Sequence, residues 1–394
     1  MKVAVLGLRG FPDVQGGVEA HAQQLYTRLA QRGCELTVFS RRPYVGPGER
    51  TYRGVRLVPL GCPTHPGLEA IGHSLLAVFA ARREKPDILH VHAIGPSLVV
   101  PLARLLGMKV VVTHHGPDYE RQKWGAFART MLRAGEACAV KWAHTLIAIS
   151  PVIADSLSNR RRQGVVVIPN GVAPADFRPA GETLQRYSLE SGRYVFAVGR
   201  LVPEKRFDDL VRAFGRWRQS AGNHEWKLVI TGRADHASAY SEQLKALARR
   251  TEGVIMTGFL AGPALEELFS NAGLFVLPSS HEGLPIALLE ALRYGRSCIV
   301  SDIPAHRVLD LEPDRYFGVG NINELKQCLS AHLSRPADDA AAARWIRRIQ
   351  EDYDWDRIAD ETLRVYRQLV PSDEKKAPYE PSKVTLEAPA QVTH

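Results

Sequence analysis

Two acids, Glu282 and Glu290, share the stretch HEGLPIALLEAL at 281–292. It comes directly after an apolar run, Leu274–Leu277, and the turn Pro278-Ser279-Ser280. A Pro soon after a Gly marks a helix start. Free backbone N–H groups there face the C-terminal edge of a sheet, where α/β proteins bind anions. Glu282 sits just before this helix and Glu290 about two turns along it, roughly 12 Å away at the helical rise. Two such acids suit two separate hydroxyl clusters, although surface acids on an ordinary amphipathic helix would read the same. A second segment, Gly199-Arg200-Leu201-Val202-Pro203-Glu204-Lys205-Arg206, follows the run Tyr194–Val198. It places Arg200 and Lys205 at a strand's C-terminal end, where two fixed cations suit a diphosphate whose charge rises as it leaves. An isolated Arg and Lys at this spacing is more commonly a solvated loop.

Two further segments belong to the first half. The loop from Gly10 to Glu19 carries the pair Gly16-Gly17, which lets backbone approach a ligand at a helix N-terminus. Its glycines do not fit GxGxxG, so a dinucleotide reading is weak, and a tight turn explains the pair equally well. The segment Thr113-His114-His115-Gly116-Pro117-Asp118 ends another apolar run. A His at a strand's C-terminal end can face an interdomain cleft and bond a sugar hydroxyl or a phosphate. His90 and His92 alternate on the preceding run and read as packed residues. No carboxylate lies at ligand spacing from this His set, so no metal is expected. The run EDYDWD at 351–356 looks like a metal-binding DxD, but it lies in a helical region. Asp354 reads as a helix cap and Trp355 as a core residue. Arg160–Arg162 reads as a solvated loop.

These segments need elements to hold them. Apolar runs at Val3–Leu6, Leu36–Phe39, Val55–Leu60, Ile88–Val91, Lys109–Thr113 and Thr145–Ile149 alternate with Ala/Leu/Arg-rich amphipathic stretches. A second series runs through Val165–Ile168, Tyr194–Val198, Lys227–Ile230, Val254–Thr257, Leu274–Leu277 and Ser297–Val300. Continuous apolar strands separated by helices imply parallel sheets covered on both faces, and two series imply two doubly wound α/β domains. The boundary is placed near 170, giving domains over 1–170 and 171–354. Disorder is expected over 371–394, which is rich in Pro, Lys and Glu and poor in apolar residues.

Composition narrows the partners. The chain has 394 residues and a formal charge of +9. Residues 1–170 hold 22 Lys and Arg against 11 Asp and Glu, so the excess is concentrated there. A basic half suggests an anionic partner: a phosphate-bearing substrate, a membrane surface or nucleic acid. Nucleic acid is not expected, because aromatic–basic interleaving is missing. Five scattered cysteines without a CxxC pair read as reduced thiols, and neither a leader peptide nor a membrane span is expected. A cytoplasmic protein, peripheral on the inner membrane if its basic half meets lipid, is the expectation.

Taken together, GGVE (16–19), THHG (113–116), ISPVIADSL (149–157), IPNGV (168–172), VGRLVPEK (198–205), VITG (229–232), TGF (257–259) and HEGLPIALLE (281–290) form one pattern. Over about 1–370 the chain resembles family 4 glycosyltransferases, which have the GT-B fold, two Rossmann-like domains facing across a cleft. HHGPDYERQKWG at 114–125 looks like a bacterial polysaccharide-assembly and rhamnosyl-type subgroup. The resemblance implies a retaining, metal-independent transfer of a hexose or deoxyhexose from an NDP-sugar, UDP first, to a glycan or lipid-diphosphate-linked acceptor. It implies no cofactor. Arg200 and Lys205 would grip the diphosphate, and Glu282 would hold hexose hydroxyls near the amides of Gly283 and Leu284. Glu290 would hold the ribose, Gly16 and Gly17 would border phosphates and acceptor, and His115 would approach the transferred sugar. Backbone near Thr231-Gly232 and Gly258-Phe259 would read the base. A helix near 355–370 would pack back on the first domain. The usual acid soon after NGV is absent, with Asp176 lying later. Rival readings are a GT-B-fold epimerase or phosphorylase and a non-catalytic sugar-nucleotide-binding protein.

Overall fold

Alternating apolar strands and amphipathic helices build two separate sheets in the computed structural model, which describes residues 1–63, 66–120, 125–158, 160, 164–221, 224–234, 238–335 and 338–370. The tail over 371–394, Arg161 and Arg162, and 121–124 of the HHGPDYERQKWG stretch lie outside the described residues.

The first sheet contains β1 (Lys2–Leu6), β2 (Glu35–Arg41), β3 (Arg50–Tyr52), β4 (Val55–Leu60), β5 (Ile88–His92), β6 (Val110–His114), β7 (Thr145–Ala148) and β8 (Val166–Val167). Its order is β3-β4-β2-β1-β5-β6-β7-β8. The second contains β9 (Tyr194–Val198), β10 (Lys227–Thr231), β11 (Val254–Gly258), β12 (Leu274–Leu277), β13 (Cys298–Ser301) and β14 (Tyr316–Phe317), in the order β11-β10-β9-β12-β13-β14. The pairing is parallel throughout except between β3 and β4. Parallel strands need both faces covered, which is why β5 and β6 are buried at every position.

Three details differ from the sequence reading. The run Val165–Ile168 does not open the second series: as β8 it pairs with β7, so it closes the first sheet. A short apolar run beside a loop carries no mark of which sheet will take it. The second sheet finds its sixth strand in Tyr316–Phe317, too short to show a period. The edge strand β3 returns through Arg53 and Gly54, both with positive φ, the conformation of a tight primed hairpin turn.

Chain order reverses direction at two places. In the first sheet β1 lies between β2 and β5, and in the second β9 lies between β10 and β12. Loops leaving neighbouring strands on opposite sides of such a point part from each other and leave a crevice at the strands' C-terminal ends. The segments following β1, β9 and β12 are the ones that carry Gly16, Lys205 and Glu282.

The last helix, Trp355–Leu369, crosses back to the first domain. Asp354 Oδ1 caps it by accepting the amides of Asp356 and Arg357 at 2.9 and 3.0 Å. Trp355, Ile358 and Tyr366 join a core with Val3, Tyr26 and Val38, and Arg32 Nε donates to Asp360 at 2.6 Å. Gly171 is what lets Trp355 in: a Cβ there would stand 2.6 Å from the indole. Gly171→Ala is therefore expected to cost about 1–3 kcal/mol through overpacking. A urea midpoint equal to wild type would show that the helix docks more loosely than described.

Candidate active site

Lys205 and Glu282 meet where β9 and β12 diverge. Lys205 belongs to a short helical turn, Pro203–Lys205, in the loop after β9. Glu282 lies in the loop between β12 and the helix Ile286–Arg293, whose N-cap is Pro285. The two segments are tied by their backbones, Ser280 N donating to the Glu204 carbonyl at 2.8 Å. Lys205 Nζ then donates to Glu282 Oε1 at 2.5 Å, with both side chains mostly buried. Burial alone would raise the Glu282 carboxyl. The adjacent ammonium outweighs it and holds the group down to about 2. Glu282 is thus a carboxylate at neutral pH, an acceptor for hydroxyl hydrogens.

The first domain faces this pair from the other side. The segment after β6 brings the His115 carbonyl against Gly283, so that a Cβ on Gly283 would overlap that oxygen and press on Ile149. Asn170 spans the same seam, its Nδ2 donating to the Leu284 carbonyl at 2.8 Å while Oδ1 meets His21 Nδ1 at 3.0 Å. His281 Nδ1 lies 3.5 Å from Glu120. The absence of a side chain at 283 is what permits this approach, and Gly283→Ala is expected to lower kcat/KM about tenfold to a hundredfold by forcing the halves apart. Steady-state kinetics check this, and unchanged constants would mean that the seam does not matter for turnover.

After β1, Arg9 holds Glu19 with two contacts of 3.0 Å and donates to the Gln15 carbonyl. A Cβ on Gly16 would fall onto both side chains, and Gly16 takes φ 153 as the N-cap of the helix Gly17–Gln31. Burial pushes the Glu19 carboxyl up, yet Arg9 beside it and Arg200 from the second domain pull it below the ordinary carboxylate range. Arg200 thus lies near enough to the Gly16–Glu19 loop for its charge to act on Glu19. Gln15 Oε1 accepts the Arg233 amide at 3.3 Å, a further bridge between the halves.

The backbones after β9, β10 and β11 are knitted together. Gly199 N donates to the Thr231 carbonyl at 3.0 Å and Gly232 N to the Gly258 carbonyl at 2.8 Å. Thr231 Oγ1 lies 2.9 Å from Thr257 Oγ1, and the Arg233 guanidinium sits over the Phe259 ring at 5.0 Å. Gly232, Arg233 and Gly258 border a recess of about 580 Å³ that Leu201 and Met256 also line. Glu290 stands apart, on the helix Ile286–Arg293. Its carboxyl makes no ion pair among the described residues, and burial raises it to about 7.

The structure thus joins Lys205 to Glu282, His115 to Gly283, and Thr231–Gly232 to Gly258, and sets Gly16 and Gly17 beside Glu19, within the field of Arg200. Arg9, Gln15, His21, Asn170 and His306 carry no role in the sequence reading, although Gln15 and Asn170 lie within segments it singles out. His306 is fully buried, contributes to the field around Glu282 and donates from Nδ1 to the Ser301 carbonyl. It lies in the helical turn Pro304–Arg307, five residues beyond the end of β13, where a reading of strand ends does not reach it. Among the described residues no carboxylate joins His90, His92 and His115. His114 does have one, Glu136 at 3.1 Å, and both side chains are buried.

Residues 15–176 match the family model Glycosyltransferase Family 4, and residues 184–312 match Glycosyl transferases group 1. An uncharacterized glycosyltransferase of Methanocaldococcus jannaschii is 25% identical over 401 residues, covering 93% of this chain and 98% of that one. A GDP-mannose:cellobiosyl-diphosphopolyprenol alpha-mannosyltransferase of Komagataeibacter xylinus is 26% identical over 300 residues, 72% of each chain. Among solved structures, Anabaena HepE in complex with UDP-glucose superposes with a TM-score of 0.73 at 15% identity, covering 93% of this chain and 100% of that one. That level of identity speaks for a shared fold.

Proposed function

The chain belongs to the GT-B glycosyltransferases, family 4 in its first domain and group 1 in its second, and from that premise we propose that it moves a hexose or deoxyhexose from a UDP-sugar to a lipid-diphosphate-linked or glycan acceptor, in the assembly of a cell-surface polysaccharide. The observation that carries the reading is the Lys205–Glu282 pair at 2.5 Å, lying where the second sheet reverses order and facing the His115–Gly283 seam. Cations hold the diphosphate and acids hold hydroxyls. Arg200, Lys205 and the free amides before the helix Ile286–Arg293 stabilise the departing diphosphate as its charge develops. Glu282 accepts from hexose hydroxyls, Glu290 from the ribose, and His115 meets the transferred sugar. Gly16 and Gly17 border the phosphates, and the backbone around Thr231, Gly232, Gly258 and Phe259 reads the base. In this reading Arg200 and Lys205 take the place of a metal at the leaving group. The acceptor attacks from the face the diphosphate leaves, and a phosphate oxygen takes its proton, so configuration is retained. The UDP-glucose held by HepE and the diphosphopolyprenol acceptor of the Komagataeibacter relative favour these choices.

A panel of UDP-, GDP-, dTDP- and ADP-sugars tests the reading. One UDP-sugar should raise Tm and be slowly hydrolysed with EDTA present. A panel in which no nucleotide-sugar shifts Tm, or in which turnover needs added metal, would count against it.

The acceptor part favours a membrane surface. Phe127 is 79% exposed on the helix Ala126–Trp142, which also carries Arg129, Arg133 and Lys141. Leu76 and Phe79 are half exposed on the helix Pro66–Glu84, which ends with Arg82 and Arg83. Apolar and basic side chains together suit an anionic bilayer, at about 1 kcal/mol per well-placed cation. No helix among the described residues is long and apolar enough to cross a membrane. Flotation should recover the chain with anionic vesicles and lose it when Phe127→Ala is combined with Arg133→Glu. Equal recovery with neutral and anionic lipid would contradict surface binding.

A further inference from the structure

Three imidazoles converge beside the seam, from the helix Gly17–Gln31, from β5 and from the segment after β6. His21, His92 and His115 each offer a ring nitrogen, and these atoms lie within 4.8 Å of one another. His92 Nδ1 and His115 Nε2 are 2.9 Å apart. The His21 ring stands edge-on to His115 with centroids 5.0 Å apart, and to His92 at 5.6 Å.

The hydrogen bonds around His21 settle which of its nitrogens can bind. Asn170 spends its NH₂ on the Leu284 carbonyl at 2.8 Å, so it is Oδ1 that meets His21 Nδ1 at 3.0 Å. That oxygen only accepts, so Nδ1 carries the hydrogen and Nε2 keeps its lone pair. His21 is 2% exposed, and Nε2 is buried without a hydrogen-bond partner among the described residues. A buried lone pair without a donor costs stability unless something fills it. An amide oxygen bonded to the far nitrogen is also how proteins orient a metal-bound His. Burial brings His21 down to about 4, leaving the neutral ring that a metal requires.

We propose that His21 Nε2, His92 Nδ1 and His115 Nε2 form a three-imidazole site for a divalent transition-metal ion of the zinc type. Zinc–nitrogen bonds of about 2.0–2.1 Å put ligand nitrogens about 3.4 Å apart in a tetrahedron. The 2.9 Å contact opens slightly and the wider ones close. One hydrogen lies between His92 and His115. The ring that carries it moves it to its other nitrogen, so the ion meets three lone pairs and no proton is released. For His92 the other nitrogen, Nε2, already faces the Tyr26 hydroxyl, which accepts that hydrogen. Three imidazoles leave a fourth position for water or a substrate oxygen. The ion is not the cofactor of transfer. It ties His115 to the first domain's interior and so inhibits. The inhibition rests on the sugar-facing role given to His115 above, whereas binding does not.

The test uses the tag-free full chain, stripped with EDTA, and Zn²⁺ or Co²⁺ alone. Calorimetry should show one Zn²⁺ per chain, and Co²⁺ should give the visible absorption of a low-coordinate, nitrogen-ligated ion. His21→Ala and His115→Ala should each weaken Zn²⁺ at least tenfold. The donor hydrolysis that remains in His21→Ala should no longer be sensitive to Zn²⁺. Failure of the wild-type chain to bind Co²⁺ would overturn the site without any appeal to variants that fold poorly. So would Zn²⁺ binding untouched by both substitutions. Tight binding at these residues with no effect on hydrolysis would leave the site standing and overturn the inhibition and the role of His115.

Discussion

Lys205→Ala is expected to lower kcat about 10³-fold, close to 4 kcal/mol of transition-state stabilisation, and Arg200→Ala to lower it by a similar order. The charge on a leaving diphosphate grows as the glycosidic bond breaks, so a fixed cation acts more strongly on the transition state than on bound donor. Lys205 has a second task, because Glu282 depends on it. With the ammonium gone, a mostly buried carboxylate loses its partner, which costs about 3 kcal/mol of stability. The pH dependence identifies that contribution. The folded carboxyl lies at about 2, below its ordinary 4.5. Its stabilisation is therefore full above about pH 4.5 and is lost as pH falls toward 2. Lys205→Ala should remove this acid-side loss. Adding Glu282→Gln should restore stability without restoring turnover. Recovery of both would mean that Lys205 serves the fold alone.

Glu290→Gln is expected to lower kcat/KM for the donor about a hundredfold and to change how the protein responds to pH. The carboxyl is raised by burial to about 7. In the folded chain without donor it is largely protonated at pH 6 and largely charged at pH 8. A raised group contributes stability that is present below about pH 4.5 and lost as pH rises through 7. The wild-type chain should lose about 1–3 kcal/mol over that window, and Glu290→Gln should lose none of it. Binding runs the other way. Two ribose hydroxyls need an acceptor, so the charged form binds donor better and KM should fall as pH rises through 7. Calorimetry near pH 6.5, in buffers of different ionisation enthalpy, should register proton release on donor binding. A wild-type KM that is flat between pH 6 and 8.5 would contradict the ribose role.

The elements were largely legible in the sequence because parallel strands are buried on both faces and read as plain apolar runs. Tyr194–Val198 and Leu274–Leu277 appear as β9 and β12 with the bounds read from the residues. Strands of two residues, such as β8 and β14, carry too few positions to show a pattern or choose a sheet. The segments proposed to carry the chemistry could also be picked out, since each follows the C-terminal end of an apolar run, where α/β folds place their ligands. Their partners could not. Asn170 contacts His21 across 149 positions and Leu284 across 114, and no local spacing announces such a bridge. The raised carboxyl of Glu290 was hidden for a related reason. Its state depends on burial among side chains that only tertiary packing assembles.

In the proposed reaction Arg200 and Lys205 hold the diphosphate of a nucleotide-sugar. Titrating UDP and uridine into the wild-type chain and into Lys205→Ala isolates that contact, because the two ligands differ only in the diphosphate. The wild-type chain should bind UDP at least a hundredfold more tightly than uridine, and Lys205→Ala should bring the two within about tenfold by weakening UDP alone. An unchanged UDP-to-uridine ratio in the variant would place the diphosphate elsewhere.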